Sequence, residues 1–273
     1  MHVPGPESLA KLARHDAVLV RVVGTEGSVP RERGAWMLVW PDAIDGTVGG
    51  GQLEFQAIAH ARSGRIPPPG GSEVRRYPLG PSLGQCCGGV VHLSFERVGP
   101  ADGATLAARL APVRLPVALF GGGHVGRALV QVLVQLPSYD LTWIDSRDGV
   151  FPEPLPPHVR CEHSDPVQAA VADLPAGTQV VVMSFSHAED LDVVAACLRR
   201  QRERGDLPFV GLIGSRTKWA TFRHRLLERG FSEAELAHVT CPIGVPGVVG
   251  KEPEVIAVAV AAQLLQRRPP ADD

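Results

Sequence analysis

The sequence lacks three features that would mark a nucleic-acid-binding, secreted or membrane protein. Its formal net charge is −2, whereas general binders of nucleic acid or membrane surfaces carry a basic excess. No N-terminal stretch has the order of charged, apolar and small residues of a signal peptide. The longest apolar run, Val255 to Leu265, is interrupted by Gln263 and is too short to span a bilayer. We therefore expect neither a nucleic-acid partner nor a membrane association.

Cysteine is also scarce. The chain has 5 cysteines, an odd number without an export signal, which indicates free thiols and a cytoplasmic location. Two of them, Cys86 and Cys87, are adjacent within the glycine-framed run Gly84 to Gly89. Glycine lets the backbone approach a ligand closely, and thiols are soft donors for sulfur chemistry or soft metals. The simpler interpretation is a tight turn with one buried and one exposed thiol.

The 273-residue chain has two halves with different patterns. Residues 1–97 are predicted to form strands joined by glycine-rich turns, with one helix over Gln52 to Arg62. Residues 98–115 are rich in Ala, Gly and Pro and are predicted to be a linker with a short helix. Strands and helices alternate over residues 116–268, which indicates a parallel sheet covered by helices. The predicted fold class is α/β: a β-rich α+β N-terminal domain followed by a Rossmann-like parallel-sheet domain.

A glycine-rich turn in the second half fits the pattern G-x-G-x-x-G, between a predicted strand and a predicted helix. In this pattern Gly121 makes the turn, Gly123 admits a phosphate and Gly126 lets the helix pack closely. Asp145 ends the next strand, where an acidic residue meets ribose hydroxyls. These four residues are predicted to bind a cofactor, for which the pattern suggests NAD(P). Arg147 leaves room for a phosphorylated ribose or is a surface arginine, and the site is alternatively vestigial or specific for another ligand.

An oxidoreductase on this fold would need an acid/base group, and His124, His187 and Lys218 are the candidates. His187 follows a strand end, where open parallel sheets bind ligands, and is predicted to contact a cofactor. A helix N-terminal histidine without such a role is the alternative. The neighbouring Glu189 and Asp190 are interpreted as helix-start carboxylates stabilised by the helix macrodipole. Helices are predicted over Val167 to Asp173 and Asp190 to Arg204.

The remaining thiols are expected to be structural. Cys161, Cys197 and Cys241 fall in strand or helix patterns typical of core residues. No spacing among the 5 cysteines and 10 histidines matches a zinc site. We therefore predict no metal held by side chains alone.

Several motifs, taken in order, resemble those of the XdhC/CoxI family. In the first half they are Gly27 to Arg31, Gly46 to Glu54 and Gly84 to Gly89; in the second they are Gly121 to Gly126, Gly211 to Arg216 and Pro242 to Gly244. The likeness runs from Ala17 to Leu265, and the closing Gly250-Lys251-Glu252-Pro253 resembles the xanthine dehydrogenase branch. Each glycine motif is weak alone, and the ordered set is specific.

Members of that family are accessory proteins that bind the molybdenum cofactor (molybdopterin) and help its sulfurated form reach a molybdenum hydroxylase. The resemblance implies a cofactor-carrying chaperone rather than an enzyme, with apo xanthine dehydrogenase as its client. It carries Cys86 and Cys87 over as cofactor contacts. A cysteine desulfurase is one candidate sulfur donor, and a homodimer is one candidate assembly. From the residues alone, an NAD(P)-dependent oxidoreductase and a nucleotide or redox sensor stay open.

The chemistry of that cofactor, an anionic phosphate-bearing pterin, agrees with other residues of the first half. Gly49, Gly50 and Gly51 run into a predicted helix and offer backbone amides to a phosphate. Arg31 and Arg33 offer charge-assisted hydrogen bonds. The alternatives are a turn needed only for packing and two solvated loop arginines.

Overall fold

The structure is a computed structural model and describes residues 4–80, 88–111, 114–136, 138–152, 154–156 and 158–268. The chain divides into two compact units, Met1–Pro112 and Val113–Asp273. Each unit has a sheet of its own, with five strands in the first and six in the second. The first sheet is antiparallel and the second parallel, which confirms the predicted fold class.

The sheet of the first unit has the strand order β3-β2-β1-β5-β4. Its described elements are α1 Pro6–Leu12, β1 Ala17–Glu26, β2 Trp36–Val39, β3 Ile44–Gly46, α2 Gly51–Ala61, β4 Ser72–Pro78, β5 Val90–Val98, a 3₁₀ turn Pro100–Asp102 and α3 Gly103–Leu110. The segment predicted as a linker therefore contains α3, and Leu106 and Leu110 of that helix are buried.

The central strand β1 is buried on both faces. Because successive side chains of a strand point to opposite faces, Val18 and Leu19 enter different hydrophobic clusters. Val18 shares its cluster with Leu53 of α2, and Leu19 shares the other with Leu12 of α1 and Leu106 of α3. The start of β1 is consequently an uninterrupted apolar run instead of an alternating one.

The second unit has the strand order β11-β10-β9-β6-β7-β8. Its elements are β6 Leu115–Phe120, α4 His124–Leu133, β7 Tyr139–Asp145, β8 Val159–His163, a 3₁₀ helix Val167–Asp173, β9 Gln179–Val182, α5 His187–Arg204, β10 Phe209–Leu212, α6 Arg216–Glu228, α7 Glu233–Leu236, β11 Val239–Thr240 and α8 Pro253–Gln266. All of the strand pairs are parallel. This is the strand order of the Rossmann fold, which reverses between β6 and β9.

Helices cover both faces of this sheet. On β6, Phe120 belongs to a core cluster with Val194 of α5, whereas Leu119 belongs to a second cluster with Leu129 of α4 and Val260 of α8. The alternation along one strand therefore feeds two separate cores. In the part of the chain that the structure describes, no helix combines the length and apolarity needed to cross a bilayer.

Two predicted helices of the second unit differ in detail. The segment Val167–Asp173 is a 3₁₀ helix. Helix α5 begins at His187, three residues before the predicted Asp190, because the Ser186 side chain accepts a hydrogen bond from the Glu189 amide at 3.1 Å. A serine N-cap of this kind fixes where a helix starts. The short elements α7 and β11 have no counterpart among the predicted elements.

A buried ion pair fixes the C-terminal end of α5. The Arg200 side chain is 6% exposed and donates to both carboxylate oxygens of Asp206, at 2.9 and 2.7 Å. Its remaining Nη1 donates to the carbonyl of Val171 at 2.7 Å. The hydrogen bonds from the Arg200 guanidinium lower the pKa of Asp206. The Arg200 guanidinium therefore ties α5 to the segment that follows it through Asp206, and to the 3₁₀ helix before β9 through Val171.

Removing the carboxylate should destabilise the second unit. In Asp206→Ala the Arg200 guanidinium keeps only carbonyl partners in a buried site, and we expect a loss of about 3 kcal/mol in the free energy of unfolding. Urea denaturation followed by circular dichroism measures it. Because the pKa of Asp206 is lowered on folding, its contribution is present above the unfolded carboxyl pKa and is lost as the pH falls through the folded one. The gap between the wild type and the variant should narrow on acidification.

Asp192→Ala is the matched control on the same helix. Asp192 pairs with Arg229 at 2.7 Å, and both side chains are about two-fifths exposed. A pair of that kind contributes less than about 1 kcal/mol. Equal losses in the two variants would contradict the importance of the buried pair.

Candidate functional site

In the first unit, the end of β1 meets the start of β5 at two glycines. Glu26 and Val90 are paired in the antiparallel register, so Gly27 and Gly89 lie side by side. A Cβ placed on Gly27 would be 3.4 Å from the Cα of Gly89, and a Cβ on Gly89 would overlap the carbonyl oxygens of Glu26 and Ser28. Only glycine allows this approach of two backbones.

A third motif segment joins the same place. A Cβ on Gly49 would lie 2.7 Å from Cγ of Pro30, so the turn before α2 packs on the loop after β1. We call Gly27, Pro30, Gly49 and Gly89 the motif cluster. It joins three segments that are far apart in sequence. The predicted cofactor contacts Cys86 and Cys87 lie outside the described residues, and the structure describes only the end of their motif.

The glycine turn before α2 already holds an internal anion. The Glu54 carboxylate accepts hydrogen bonds from the amides of Val48 and Gly50, both at 3.2 Å, and from the Thr47 hydroxyl. The Gly49 amide donates to Thr47 Oγ1 at 3.2 Å. Two of the three amides predicted to bind phosphate, those of Gly49 and Gly50, are therefore engaged within the chain. A phosphate there would compete with Glu54.

Charged side chains lie near the motif cluster. Arg31 and Arg33 are exposed on the loop between β1 and β2. Across β1 and β5, His92 Nε2 lies 2.8 Å from Glu26 Oε1, and this hydrogen bond lowers the pKa of Glu26. Sequence reasoning missed the pair because the two residues are 66 positions apart and become neighbours only through the strand register.

In the second unit, two glycines of the predicted dinucleotide turn are required by packing. A Cβ on Gly121 would overlap the carbonyl oxygen of Met183, and a Cβ on Gly126 would overlap the carbonyl oxygen of Gly121. Gly123 is different, since a Cβ there would meet no described atom within 4 Å. The start of α4 is therefore open at Gly123.

Asp145 ends β7 next to that turn and is 3% exposed. It accepts a hydrogen bond from the Gly122 amide at 2.6 Å and pairs with Arg147 through Nε and Nη2, both at 2.9 Å. Burial by itself would raise the pKa of Asp145, but these hydrogen bonds outweigh it and lower the pKa. Arg147 is thus a partner of Asp145, and its guanidinium also lies over the Phe185 ring, 5.0 Å from the centroid.

A second buried ion pair joins α5 to α6. Asp190 Oδ1 accepts from the Ser184 amide and hydroxyl, each at 2.8 Å. Lys218 Nζ donates to Asp190 Oδ2 at 2.5 Å and to the carbonyl of Ile213 at 2.8 Å. Asp190 lies in the first turn of α5, which confirms it as a helix-start carboxylate, and it is in addition 1% exposed and paired with Lys218. His187 is exposed at the first position of α5, edge-on to Phe222.

Two of the described thiols, Cys197 and Cys241, are not activated. Burial raises the pKa of Cys197 to about 12 and that of Cys241 to about 11. The thiolate is the reactive form of cysteine, so both stay protonated near neutral pH. Cys161 is partly buried. Within the described ranges, no group of three or more His, Cys, Asp or Glu side chains is arranged to hold a metal ion.

Comparison with known proteins agrees with a Rossmann unit at the C-terminal side. A profile of the XdhC Rossmann domain matches residues 117–264, and a profile of the XdhC and CoxI family matches residues 10–77. The uncharacterised protein YqeB of Escherichia coli (strain K12) is 28% identical over 253 residues, which cover 91% of this chain and 43% of that protein's length. The chain thus spans less than half of that relative.

A solved structure shares the whole fold. The crystal structure of a xanthine dehydrogenase from Bacillus halodurans superposes with a TM-score of 0.74 and covers 98% of this chain and 97% of its own. At 18% identity, that likeness shows the fold alone. The family is assigned from the sequence profile of the XdhC Rossmann domain, which matches more than half of the chain. The chain belongs to the XdhC family, and the resemblance found from the sequence motifs is confirmed.

The Glu54 carboxylate, which accepts hydrogen bonds from the amides before α2, leads to a prediction about stability. Glu54→Ala leaves the Val48 and Gly50 amides without their carboxylate, and we expect the free energy of unfolding to fall by about 1–2 kcal/mol. Thermal and urea unfolding measure the loss. The control is Glu7→Ala, which removes an exposed first-turn glutamate of α1, a helix without a side-chain cap; it should cost less than about 0.5 kcal/mol. Similar losses would argue against the capping role of Glu54.

The glycine turn of the second unit leads to a further prediction about stability. In Gly126→Ala the new methyl group meets the Gly121 carbonyl, a backbone atom that cannot rotate away, and we expect a loss of about 3 kcal/mol. Gly123→Ala is the matched control because the space above Gly123 is open, and its cost as a helix N-cap change is at most about 1 kcal/mol. Differential scanning calorimetry measures the loss of stability in each variant. A Gly126→Ala variant as stable as the Gly123→Ala control would refute the packing requirement at Gly126.

Proposed function

We propose that this chain is an accessory chaperone that binds the molybdenum cofactor and assists its sulfuration and insertion into apo xanthine dehydrogenase. Membership of the XdhC family supports the proposal. The observation that carries it is the motif cluster, where three separate motif segments of the first unit pack together. A carrier has to bind its cargo and release it again, and it requires no catalytic residue of its own.

The residues around the motif cluster suit an anionic pterin. Arg31 and Arg33 are exposed and would donate charge-assisted hydrogen bonds to the phosphate. A Cβ on Gly50 would meet nothing within 4 Å, so its backbone is open to the approach of a flat ring. Because Glu54 occupies the amides before α2, we place the phosphate on the arginine side, where it does not face a carboxylate.

In this proposal Cys86 and Cys87 are the thiols that contact the cofactor and take part in its sulfuration. They directly precede Gly88 in sequence, and Gly89 belongs to the motif cluster. The raised pKa values of Cys197 and Cys241 support the assignment. Those two thiols stay protonated near neutral pH, and a protonated thiol is a poor nucleophile and a poor metal ligand. We propose that a cysteine desulfurase supplies the sulfur in the cytoplasm, and that the chaperone docks on its client as a homodimer.

An NAD(P)-dependent oxidoreductase is the second candidate. The Rossmann strand order and the open space at Gly123 favour it. The candidate acid/base groups do not support it, since Lys218 is held in a buried ion pair and His124 and His187 are exposed at helix starts. The chaperone function is therefore preferred.

The thiols give the test of the proposed function. Protein purified from cells that make the cofactor should carry about one equivalent of it, measured by fluorescence of the oxidised pterin, and should raise the activity of apo xanthine dehydrogenase. In a Cys86→Ala, Cys87→Ala double variant we expect at least about tenfold weaker retention, equivalent to about 1.4 kcal/mol. Cys241→Ala is the control and should retain the cofactor. If the double variant retains and delivers the cofactor as well as the wild type, the two thiols have no part in the mechanism. If the purified wild type carries no pterin and xanthine dehydrogenase matures equally well without this protein, the chaperone function is refuted.

A further inference from the structure

The ribose subsite of the Rossmann fold is the starting point of an inference that does not rest on the proposed function. In this fold the acidic residue that ends the second strand accepts hydrogen bonds from the ribose hydroxyls of the dinucleotide. In the second unit that strand is β7, and its last residue is Asp145. The fit of an adenine dinucleotide therefore depends on whether this carboxylate has acceptor capacity left.

The capacity of Asp145 is used up within the chain. A carboxylate offers about four acceptor positions. Oδ1 accepts from the Arg147 amide and from Arg147 Nε, each at 2.9 Å. Oδ2 accepts from Arg147 Nη2 at 2.9 Å and from the Gly122 amide at 2.6 Å. A ribose diol would find no free acceptor, so the subsite does not fit an unphosphorylated ribose.

The surroundings hold Arg147 in this position. Its guanidinium lies over Phe185, whose side chain is 62% exposed. The hydrogen bonds to Asp145 raise the pKa of Arg147, and the nearby negative charge of Glu189 adds to that effect. The Ser146 hydroxyl donates to Glu189 at 2.6 Å. A 2′-phosphate on the ribose would meet these carboxylates as well as the arginine. The charges therefore give the phosphorylated dinucleotide no clear advantage.

The segment after β7 also closes over the glycine turn. A Cβ on Gly122 would overlap the Val150 side chain. Arg127 bridges the two segments, because it donates to the carbonyl of Gly122 at 3.3 Å and to that of Val150 at 2.9 Å. Trp143 Nε1 donates to the carbonyl of Gly121 at 3.0 Å. The chain's own side chains thus order a turn that a dinucleotide would otherwise help to order.

We infer that Arg147 occupies the ribose subsite of the second unit and closes it to NAD(H) and NADP(H). The unit keeps the Rossmann strand order and the glycine turn, but its ribose acceptor is committed to the chain itself. Removing the guanidinium frees two of the four acceptor positions, one on each carboxylate oxygen. The other two stay with the backbone amides of Arg147 and Gly122. The subsite then opens to a ribose diol.

Isothermal titration calorimetry of the full chain tests this. With NAD⁺, NADP⁺, ADP-ribose and 2′,5′-ADP as probes, the wild type should show no saturable binding tighter than about 1 mM. Arg147→Ala should gain at least about tenfold in affinity for ADP-ribose and NAD⁺, with a smaller gain for 2′,5′-ADP because the cation is gone. Arg223→Ala, which removes an exposed arginine paired with Glu233, is the control and should gain nothing.

Each other outcome overturns the inference. Micromolar binding of NAD⁺ or NADP⁺ by the wild type would show that the subsite is open. A folded Arg147→Ala variant with no gain would show that Arg147 is not the group that closes it. Circular dichroism checks the fold, and if Arg147→Ala unfolds, Arg147→Lys takes its place, since lysine keeps the charge but cannot bridge both carboxylate oxygens.

Discussion

The close approach of backbone to backbone at Gly89 is the constraint on which the site of the first unit depends. Any side chain there would collide with the carbonyl oxygens of Glu26 and Ser28, so the ends of β1 and β5 can meet only at a glycine. The same contact brings the segment that follows Cys87 in sequence against the loop that carries Arg31. The glycines of this motif are therefore a geometric requirement, and the chemistry belongs to the residues beside them.

In both units a carboxylate of the chain accepts a hydrogen bond from an amide of the glycine-rich turn. Such a turn in front of a helix is an attractive place for an anion, because its amides point outward. Here the chain supplies the anion itself: Glu54 accepts from the Gly50 amide and Asp145 accepts from the Gly122 amide. An external phosphate gains little where an internal carboxylate already holds the amides. Anion binding cannot be inferred from the glycines alone.

The sequence predicts the architecture well because hydrophobic periodicity and glycine turns are local. The Rossmann pattern around Gly121 and Gly126 is of this kind, and both glycines prove to be required by packing. Glu54 lies only four residues after Gly50, so its capping role was within reach of local reasoning and was missed. The pairing of Asp190 with Lys218, 28 positions apart, was out of reach because it needs the parallel order of β9 and β10.

The polar groups at the carboxyl edge of the second sheet hold loops together, and this bears on function more than the fold does. A Rossmann sheet by itself favours nucleotide chemistry, but fold does not determine function. Lys218 already donates to Asp190 and to the Ile213 carbonyl, and a proton donor committed in this way has to break a buried ion pair before it can act. Arg31 and Arg33 of the first unit are exposed, and among the described residues neither is held in a buried ion pair. A cargo that must be released is better served by groups of that kind.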